Sequence, residues 1–303
     1  MKRIVITGAT GWVGRAMIEA LISEYGASII DRLELYGSRQ QTFVSQGSIK
    51  HHIASLETID LTHKIDLFIP LAFLTQEKYN HLGPELYRKI THEIISSHSK
   101  IIQATKPKTT LYFSSGITSS SVVGIDRAAS YLEYRKLKLE EEETFRSLIA
   151  PYKGFVITCR LFSMSGQFMR DPEKYALGNF ILQAFSKNRI EIQSPSLVYR
   201  KYCQDIDLCT LMLRLAAFES DLTFESSGNL IEIGELAKLV GEFFNLSDSS
   251  IVRGDLRRDD DVYYSQDTTM DDLFIQHGLR PHSLLDQVSA TIKGVLADAF
   301  ENQ

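Results

Sequence analysis

Short apolar runs alternate with longer amphipathic stretches along the first half of the chain. Apolar runs of this length predict strands, and apolar residues at helical spacing predict helices. The predicted strands are Arg3–Ile6, Leu33–Tyr36, Ile49–Ile53, Asp66–Leu71, Thr110–Ser114 and Phe155–Leu161. The predicted helices are Trp12–Tyr25, Pro84–Thr105 and Ala128–Ala150. Because strands alternate with helices, we predict an α/β fold with a doubly wound parallel sheet.

The pattern becomes looser after Leu161, where glycines, prolines and mixed segments interrupt the alternation. Asp207–Phe218 and Ile231–Phe244 have the spacing of helices that return to the first sheet. We therefore expect one large domain and a smaller, interleaved C-terminal domain. The expected division is 1–164 with 207–235 for the large domain, and 165–206 with 236–303 for the smaller one.

Composition and charge narrow the possible classes of function. The 303 residues carry a net charge of −5, which disfavours a general nucleic-acid or anionic-membrane surface. No apolar run approaches the roughly 20 residues that span a bilayer. The three cysteines have no paired spacing and the histidines are scattered, so we predict no metal site. We expect a cytoplasmic protein without nucleic-acid or membrane partners.

A glycine-rich segment, Thr7-Gly8-Ala9-Thr10-Gly11-Trp12-Val13-Gly14, follows the first predicted strand and opens the first helix. In this context Gly8 permits a tight turn, Gly11 allows backbone to approach a pyrophosphate, and Gly14 allows close helix–strand packing. The helix N-terminus adds a positive partial charge. We predict a dinucleotide site of the Rossmann type, although a ligand-free turn has the same pattern. Its predicted contacts are Gly8, Thr10, Gly11, Trp12, Val13 and Gly14.

The end of the second strand distinguishes between the two nicotinamide dinucleotides. NAD sites usually place Asp or Glu there, where the carboxylate binds the ribose 2′-hydroxyl. This strand ends in Leu35-Tyr36-Gly37-Ser38-Arg39, with a hydroxyl and a guanidinium in place of the acid. An arginine can pair with a 2′-phosphate. We predict NADP(H) at Gly37, Ser38 and Arg39 in preference to NAD(H), with a solvated Arg39 as the alternative.

Tyr134 and Lys138 lie four residues apart in a segment of strong helix formers. This spacing places a phenol and an ammonium on one helix face, where the lysine charge lowers the phenol pKa. Tyr134 is therefore a candidate general acid or base. Tyr131 is a weaker candidate because its partner four residues on is Arg135. We expect Lys136 and the run Glu140–Glu143 to form a solvated face.

With the glycine-rich segment and the hydroxyl-rich end of Thr110–Ser115, this pair resembles the extended short-chain dehydrogenase/reductase family, in its NAD-dependent epimerase/dehydratase-like, nucleotide-sugar-modifying branch. The resemblance covers nearly the whole chain. It implies that Pro70-Leu71-Ala72 lines the cofactor and that Leu161 lies beside it, within the segment Arg160–Gly166. It also implies that the smaller domain binds substrate. The segments similar to those that hold the nucleotide sugar are Asn179-Phe180-Ile181, Tyr199–Tyr202, Arg257–Asp260 and Tyr264.

One segment departs from the family pattern. The family usually has a third Ser or Thr after its fifth strand that acts on the substrate oxygen, but this chain reads Ser114-Ser115-Gly116-Ile117-Thr118. We assign that hydroxyl to Thr118 first and to Ser115 second. The sugar dehydratases of the family carry an Asp-Glu pair nearby. No acidic residue lies between Thr105 and Asp126, which disfavours dehydration.

A nucleoside diphosphate needs donors for its phosphates and a surface for its base. Arg200 and Arg258 are the candidate phosphate ligands and Phe180 is the candidate contact for the base, although each residue alone is also typical of an ordinary surface or core position. The resemblance adds Asn179 as a substrate-binding residue. We predict that the protein uses NADPH to reduce a 4-keto nucleotide sugar. The alternatives are a 4-epimerase that retains NAD(P) and a non-catalytic NADP(H)-binding sensor. The family resemblance also implies a homodimer through a four-helix bundle.

Overall fold

The computed structural model describes residues 2–45, 49–120, 122 and 128–301, which divide into two units. The first unit contains Met1–Leu161 and Cys209–Glu225, and the second contains Phe162–Leu208 and Ser226–Gln303. The strands are β1 Ile4–Thr7, β2 Leu33–Gly37, β3 Gln41–Val44, β4 Lys50–Ser55, β5 Leu67–Pro70, β6 Thr109–Ser115, β7 Phe155–Leu161, β8 Ser163–Ser165, β9 Ile190–Ile192, β10 Val198–Gln204, β11 Leu222–Glu225, β12 Asn229–Glu232, β13 Ile251–Arg253 and β14 Asp261–Val262. The helices are α1 Trp12–Tyr25, α2 Lys78–Leu82, α3 Pro84–Thr105, α4 Ala129–Ile149, α5 Ala176–Lys187, α6 Asp205–Leu215, α7 Ile233–Phe243, α8 Thr269–Gln276 and α9 Leu284–Glu301.

Eight strands form the sheet of the first unit, in the order β11-β7-β6-β5-β1-β2-β4-β3. Every pair is parallel except β3 with β4, which is antiparallel. From β4 to β7 this is the strand order of a Rossmann-type sheet. The predicted fold class is therefore confirmed, whereas the edge strand β3 was not expected.

The central strands of this sheet are apolar because they are covered on both faces. All four residues of β1 and all four of β5 are buried. A cluster of buried side chains around Phe68, Tyr112 and Phe145 joins the sheet to helices α3 and α4. Both helices begin and end within one residue of their predicted bounds, since their apolar spacing matches the buried stripe.

The second unit has its own small sheets. In the larger one β10 pairs with β8, β12 and β14, and in the other β9 pairs with β13. Helix α5 contributes buried Leu177, Phe180 and Ile181 to the core. None of the helices in the described ranges is long and apolar enough to cross a membrane.

The chain returns to the first unit over a shorter stretch than the predicted 207–235. Strand β11 pairs with β7 and closes one edge of the large sheet. Strand β12, only four residues later, pairs with β10 of the second unit instead. Helix α7 follows β12 and also belongs to the second unit, so residues 226–235 do not return to the first.

Candidate active site

The predicted cofactor and catalytic segments of the first unit meet at one edge of its sheet. Strands β1, β2, β5 and β6 are parallel, so the segments that follow them leave from the same carboxyl edge. Strand β1 lies between β2 and β5, where consecutive crossovers run in opposite directions. In open α/β sheets, ligands bind in the crevice at such a point.

The glycine-rich loop packs too closely against its surroundings to accept side chains at two positions. Gly8 has φ +66°, and a Cβ there would lie 2.6 Å from the amide nitrogen of Ala72. A Cβ on Gly14 would lie 2.5 Å from the carbonyl oxygen of Gly8. A Cβ on Gly11 would meet only that same oxygen, at 3.3 Å. The loop is therefore a backbone cradle, held tightly on its inner side and open at Gly11.

Helix α1 starts directly after this cradle. Gly11 is its N-cap, and no side chain caps the helix. Helix N-termini present N–H groups and a positive partial charge, which suits phosphate. Thr10, Trp12 and Val13 are each partly exposed in this turn, which leaves them accessible to a ligand.

The end of β2 exposes Ser38 and Arg39, while Gly37 is buried against Ile53. The strand's own acid, Glu34, lies at the opposite end. Its carboxylate is bound by the Arg3 guanidinium at 2.7 and 2.9 Å. The carboxylate of β2 itself therefore lies away from the strand end at which an NAD ribose would be bound.

The segment after β5 runs beside the glycine-rich loop. The Leu71 amide donates to the Thr7 carbonyl at 3.1 Å, and the Ala72 amide donates to the Thr7 hydroxyl at 3.3 Å. Leu71 and Ala72 are partly exposed, as is Leu161 at the end of β7. The structure thus brings Leu71 and Ala72 against the first residue of the glycine-rich segment.

Tyr134 and Lys138 are both on α4, and both contact Phe73. The Tyr134 ring meets the Phe73 ring edge-on at 5.8 Å, and the Lys138 ammonium lies 3.7 Å from the Phe73 ring centroid. Tyr134 is partly exposed, but Lys138 is only 5% exposed. The predicted pair therefore shares an aromatic neighbour that the sequence did not indicate.

The ammonium of Lys138 has an acceptor for each of its three donors. It donates to the Glu141 carboxylate at 3.1 Å, to the Tyr112 hydroxyl at 3.3 Å and to the Phe113 carbonyl at 3.4 Å. Burial alone raises the pKa of the Glu141 carboxyl, but Lys138 and His98 hold that pKa below its usual value. Burial and Glu141 raise the pKa of the Tyr112 phenol well above 10. Lys138 and Glu141 thus form a buried ion pair.

The expectation of a solvated face over Glu140–Glu143 is wrong for its two central residues. Glu141 is 1% exposed and Glu142 is 5% exposed, whereas Glu140 and Glu143 face solvent. The Arg160 guanidinium pairs with Glu142 at 2.9 Å. Burial raises the pKa of the Glu142 carboxyl, but the hydrogen bonds from Arg160 and Ser114 hold that pKa below its usual value.

The two candidate hydroxyls, those of Thr118 and Ser115, differ in exposure and in hydrogen bonding. Thr118 is 3% exposed, and its hydroxyl lies 2.8 Å from the Ser115 carbonyl and 3.0 Å from the Glu142 carboxylate. Ser115 is partly exposed at the end of β6, and its hydroxyl accepts only a long 3.4 Å bond from the Ile117 amide. The first assignment is therefore corrected, because the Thr118 hydroxyl is buried and committed to protein acceptors. Ser115 is the better placed of the two.

The four predicted substrate residues lie in the second unit. Arg200 on β10 pairs with Asp261 at 2.8 Å, and Arg258 is exposed. Asn179 on α5 is partly exposed, and its amide donates to the Glu173 carbonyl. Phe180 is 4% exposed and packs in the core, which removes it as a surface for a base.

Comparison with known families gives one match over most of the chain. The model of the NAD dependent epimerase/dehydratase family matches residues 4–226. A search of curated proteins gave no match.

Solved structures of similar fold extend over nearly the full length. A UDP-N-acetylglucosamine 4-epimerase from Methanobrevibacter ruminantium M1 is 16% identical with a TM-score of 0.74, covering 98% of this chain and 99% of that one. DesIV, a dTDP-glucose 4,6-dehydratase from Streptomyces venezuelae, is 14% identical with a TM-score of 0.72, covering 99% and 98%. MoeE5, solved in complex with UDP-glucose and NAD, is 14% identical with a TM-score of 0.71, covering 98% and 99%. At these identities the likeness establishes the fold.

Proposed function

Because the chain belongs to the NAD dependent epimerase/dehydratase family, we propose that it is an oxidoreductase that uses NADPH to reduce a 4-keto nucleotide sugar. The observation that carries the proposal is the exposed Ser38-Arg39 pair at the end of β2, a strand whose one acid, Glu34, is bound to Arg3 near its other end. A guanidinium there favours a 2′-phosphate over a 2′-hydroxyl. NADPH is typical of net reduction, in which the dinucleotide exchanges after each turnover.

The glycine-rich loop fits a dinucleotide on the evidence of its own packing. The backbone at Gly8 and at Gly14 contacts neighbouring backbone at distances too short for a Cβ. Gly11 is exposed on the outer side of the turn. In the proposed complex the first turn of α1 binds the pyrophosphate, and Leu71, Ala72 and Leu161 line the rest of the site. Bound there, a reduced nicotinamide would supply the hydride.

The chain's own residues supply the proton and the charge. We assign Tyr134 as the general acid that protonates the substrate oxygen, because it is the partly exposed tyrosine of the Tyr134/Lys138 pair. Lys138 lowers the pKa of that phenol and donates to the ribose. Ser115 donates to the substrate carbonyl, where stabilisation of the developing alkoxide is the largest expected contribution to rate.

The nucleoside diphosphate is proposed to be held by Arg200, Arg258 and Asn179. Arg200 is partly exposed and its partner Asp261 is half exposed, so a phosphate can replace that carboxylate on the guanidinium. Arg258 is exposed and makes no ion pair among the described residues. Among the similar structures, MoeE5 was solved with UDP-glucose and NAD, which supports this class of substrate.

A nucleotide-sugar 4-epimerase is the second candidate, because two of the similar structures carry that title. An epimerase would oxidise and re-reduce its sugar with no net consumption of dinucleotide. The two candidates therefore differ in stoichiometry, since a reductase oxidises one NADPH for each sugar reduced.

The proposal includes a homodimer formed through α3 and α4. These two helices of 22 and 21 residues pack against each other through the Arg88–Glu133 and His92–Glu140 pairs. Leu86 and Leu132, on the same two helices, are exposed. Light scattering coupled to size-exclusion chromatography should give twice the mass of one chain, and the mass of a single chain would remove the dimer from the proposal.

The function is tested by following NADPH absorbance with a panel of 4-keto sugars on dTDP, CDP, GDP and UDP. Oxidation of NADPH with one of them is the expected result. Replacing Tyr134 with Phe should lower turnover about 10²–10⁴-fold. Tyr131→Phe is the matched control, since Tyr131 is an exposed tyrosine on the same helix. Binding of NADPH without oxidation of it would favour a non-catalytic sensor, and interconversion of sugars without net oxidation would favour the epimerase.

A further inference from the structure

A line of buried hydrogen bonds runs from the glycine-rich loop to the interior side of α4. The Ala72 amide donates to the Thr7 hydroxyl at 3.3 Å, and that hydroxyl lies 2.9 Å from Nε2 of His98. Nδ1 of His98 lies 3.4 Å from the carboxylate of Glu141. Thr7 and His98 are fully buried, and Glu141 is 1% exposed. Strand β1, the segment after β5 and the helices α3 and α4 are thus linked by polar contacts in the interior of the first unit.

The contact between His98 and Glu141 has one direction. An ionised carboxylate only accepts, so the hydrogen between the two groups belongs to Nδ1 of His98. On the other side of the ring, Nε2 lies against the Thr7 hydroxyl, which also accepts from the Ala72 amide. Nδ1–H is therefore the group through which His98 contacts Glu141.

Glu141 joins this line to Lys138. One carboxylate oxygen faces His98, and the other accepts from the Lys138 ammonium and, at 2.6 Å, from the Tyr112 hydroxyl. The neighbouring Glu142 is not an alternative partner for Lys138, because Arg160 already balances its charge. Glu141 is therefore the carboxylate that allows Lys138 to remain charged while buried.

The aromatic rings and the backbone carbonyl packed against the line carry no charge. Phe68 on β5 and Phe145 on α4 contact the His98 ring edge-on, each at 5.9 Å. Lys138 faces Phe73, the Tyr112 ring and the carbonyl of Phe113. Glu142 and Tyr134 are the other titratable groups near Tyr112, and Glu142 is paired with Arg160. Among the described residues, removal of the Glu141 charge therefore leaves the ammonium of Lys138 without a carboxylate in direct contact.

We propose that Glu141 and His98 are positioning residues that hold Lys138 in its charged form and fix it relative to the base of the dinucleotide loop. The proposal rests on the function proposed above, in which Lys138 meets the cofactor ribose. An ammonium whose three hydrogens already have acceptors must exchange one of them for a ribose hydroxyl. Glu141 keeps the group protonated through that exchange, and His98 keeps Glu141 in place.

The test uses Trp12, the only tryptophan of the chain, as a reporter at the glycine-rich loop. Quenching of its fluorescence gives the Kd of NADPH between about pH 7 and about pH 9.5, where an ordinary lysine stays protonated. In Glu141→Gln the buried lysine should lose its proton within this range, so Kd should rise with pH by about tenfold per unit at most. The wild type and Glu140→Gln, which alters the exposed neighbouring acid, should show no such rise. If Kd in folded Glu141→Gln follows the wild type at every pH, the proposal is overturned.

A second measurement needs no variant and no turnover. Nitrogen chemical shifts of the histidine side chains report which ring nitrogen of His98, recognised by its contacts with the Phe68 and Phe145 rings, carries a hydrogen. The expected result is a hydrogen on Nδ1, facing Glu141, and a ring with hydrogen on Nε2 alone overturns the proposed link. A wild type that binds neither dinucleotide would remove the proposed function, whereas hydrogen on Nε2 alone would remove only this inference.

Discussion

Thr118 and Ser115 provide a pair of substitutions whose effects should separate stability from turnover. The Thr118 hydroxyl is buried, and one of its acceptors is the Glu142 carboxylate at 3.0 Å. Breaking a hydrogen bond to a charged group costs about 1.5–3 kcal/mol. Glu142 keeps its bonds to Ser114 at 2.5 Å and to Arg160 at 2.9 Å, which places the expected loss near the lower value. Thr118→Val should therefore lower the free energy of unfolding by about 1.5 kcal/mol, with turnover retained in the folded fraction.

Ser115→Ala should have the opposite profile. Its hydroxyl accepts one long bond of 3.4 Å, so its loss should cost less than about 1 kcal/mol of stability. If Ser115 donates to the substrate carbonyl, turnover should fall about 10²–10³-fold. Urea denaturation measures the first quantity and NADPH oxidation the second. The assignment of the hydroxyl to Ser115 is refuted if Ser115→Ala retains turnover while stable Thr118→Val loses it.

Two further substitutions test the packing and charge of the first unit. Gly14→Ala should lower the free energy of unfolding by about 1–3 kcal/mol, because its Cβ would lie 2.5 Å from a backbone oxygen, and this exceeds the helix propensity gained. Gly11→Ala is the comparison, since its Cβ meets the same oxygen at 3.3 Å and should cost less than Gly14→Ala in urea denaturation. The pKa of Glu142 is lower in the folded protein than its ordinary value of 4.5. The ionised carboxylate therefore stabilises the fold at pH values above 4.5, and this stabilisation is lost as the pH falls through the folded pKa. Glu142→Gln should thus flatten the acid side of the stability–pH curve relative to Glu143→Gln, an exposed control, and parallel curves would contradict this.

The sequence predicted most of the first unit because its signals are local. Strands such as β1 and β5 are continuous apolar runs, and α3 and α4 have clear helical spacing. The glycine-rich loop was recognisable because its glycines stand at the junction of a strand and a helix. Strand β3 was missed, since a half-exposed edge strand of four residues has neither a long apolar run nor a clear alternation.

The buried charges could not be assigned from local pattern. The run Glu140–Glu143 contains four identical residues, yet two of them are buried. Glu141 is bound by His98 on α3 and by Lys138 on α4, and Glu142 is bound by Arg160 on β7. One signal was present. Glu141 and Glu142 share the helical face of Lys138 and of the buried Phe145, at spacings of three, four and seven residues. The burial of Thr118 was missed for the same reason, because one of its two acceptors, Glu142, lies on a helix that is distant in the sequence.

Phe73 and His98 are further residues near the site that the sequence did not single out. Phe73 follows the predicted segment Pro70-Leu71-Ala72 by one position and contacts both Tyr134 and Lys138. His98 lies on the buried stripe of α3, where a histidine resembles an ordinary core residue. Their roles depend on contacts between segments that are tens of residues apart, and such contacts leave no trace in local spacing.

The choice of dinucleotide is the central claim, and the Kd values of NADPH and NADH, measured through Trp12 fluorescence, test it most directly. The wild type should bind NADPH at least about tenfold more tightly, since one charge-assisted contact to a phosphate is worth about 1.5–3 kcal/mol. Arg39→Ala should remove most of this preference by weakening NADPH alone. Arg146→Ala, which alters an exposed arginine on α4, should leave both Kd values unchanged. Tighter binding of NADH by the wild type, or an unchanged preference in Arg39→Ala, would contradict the account.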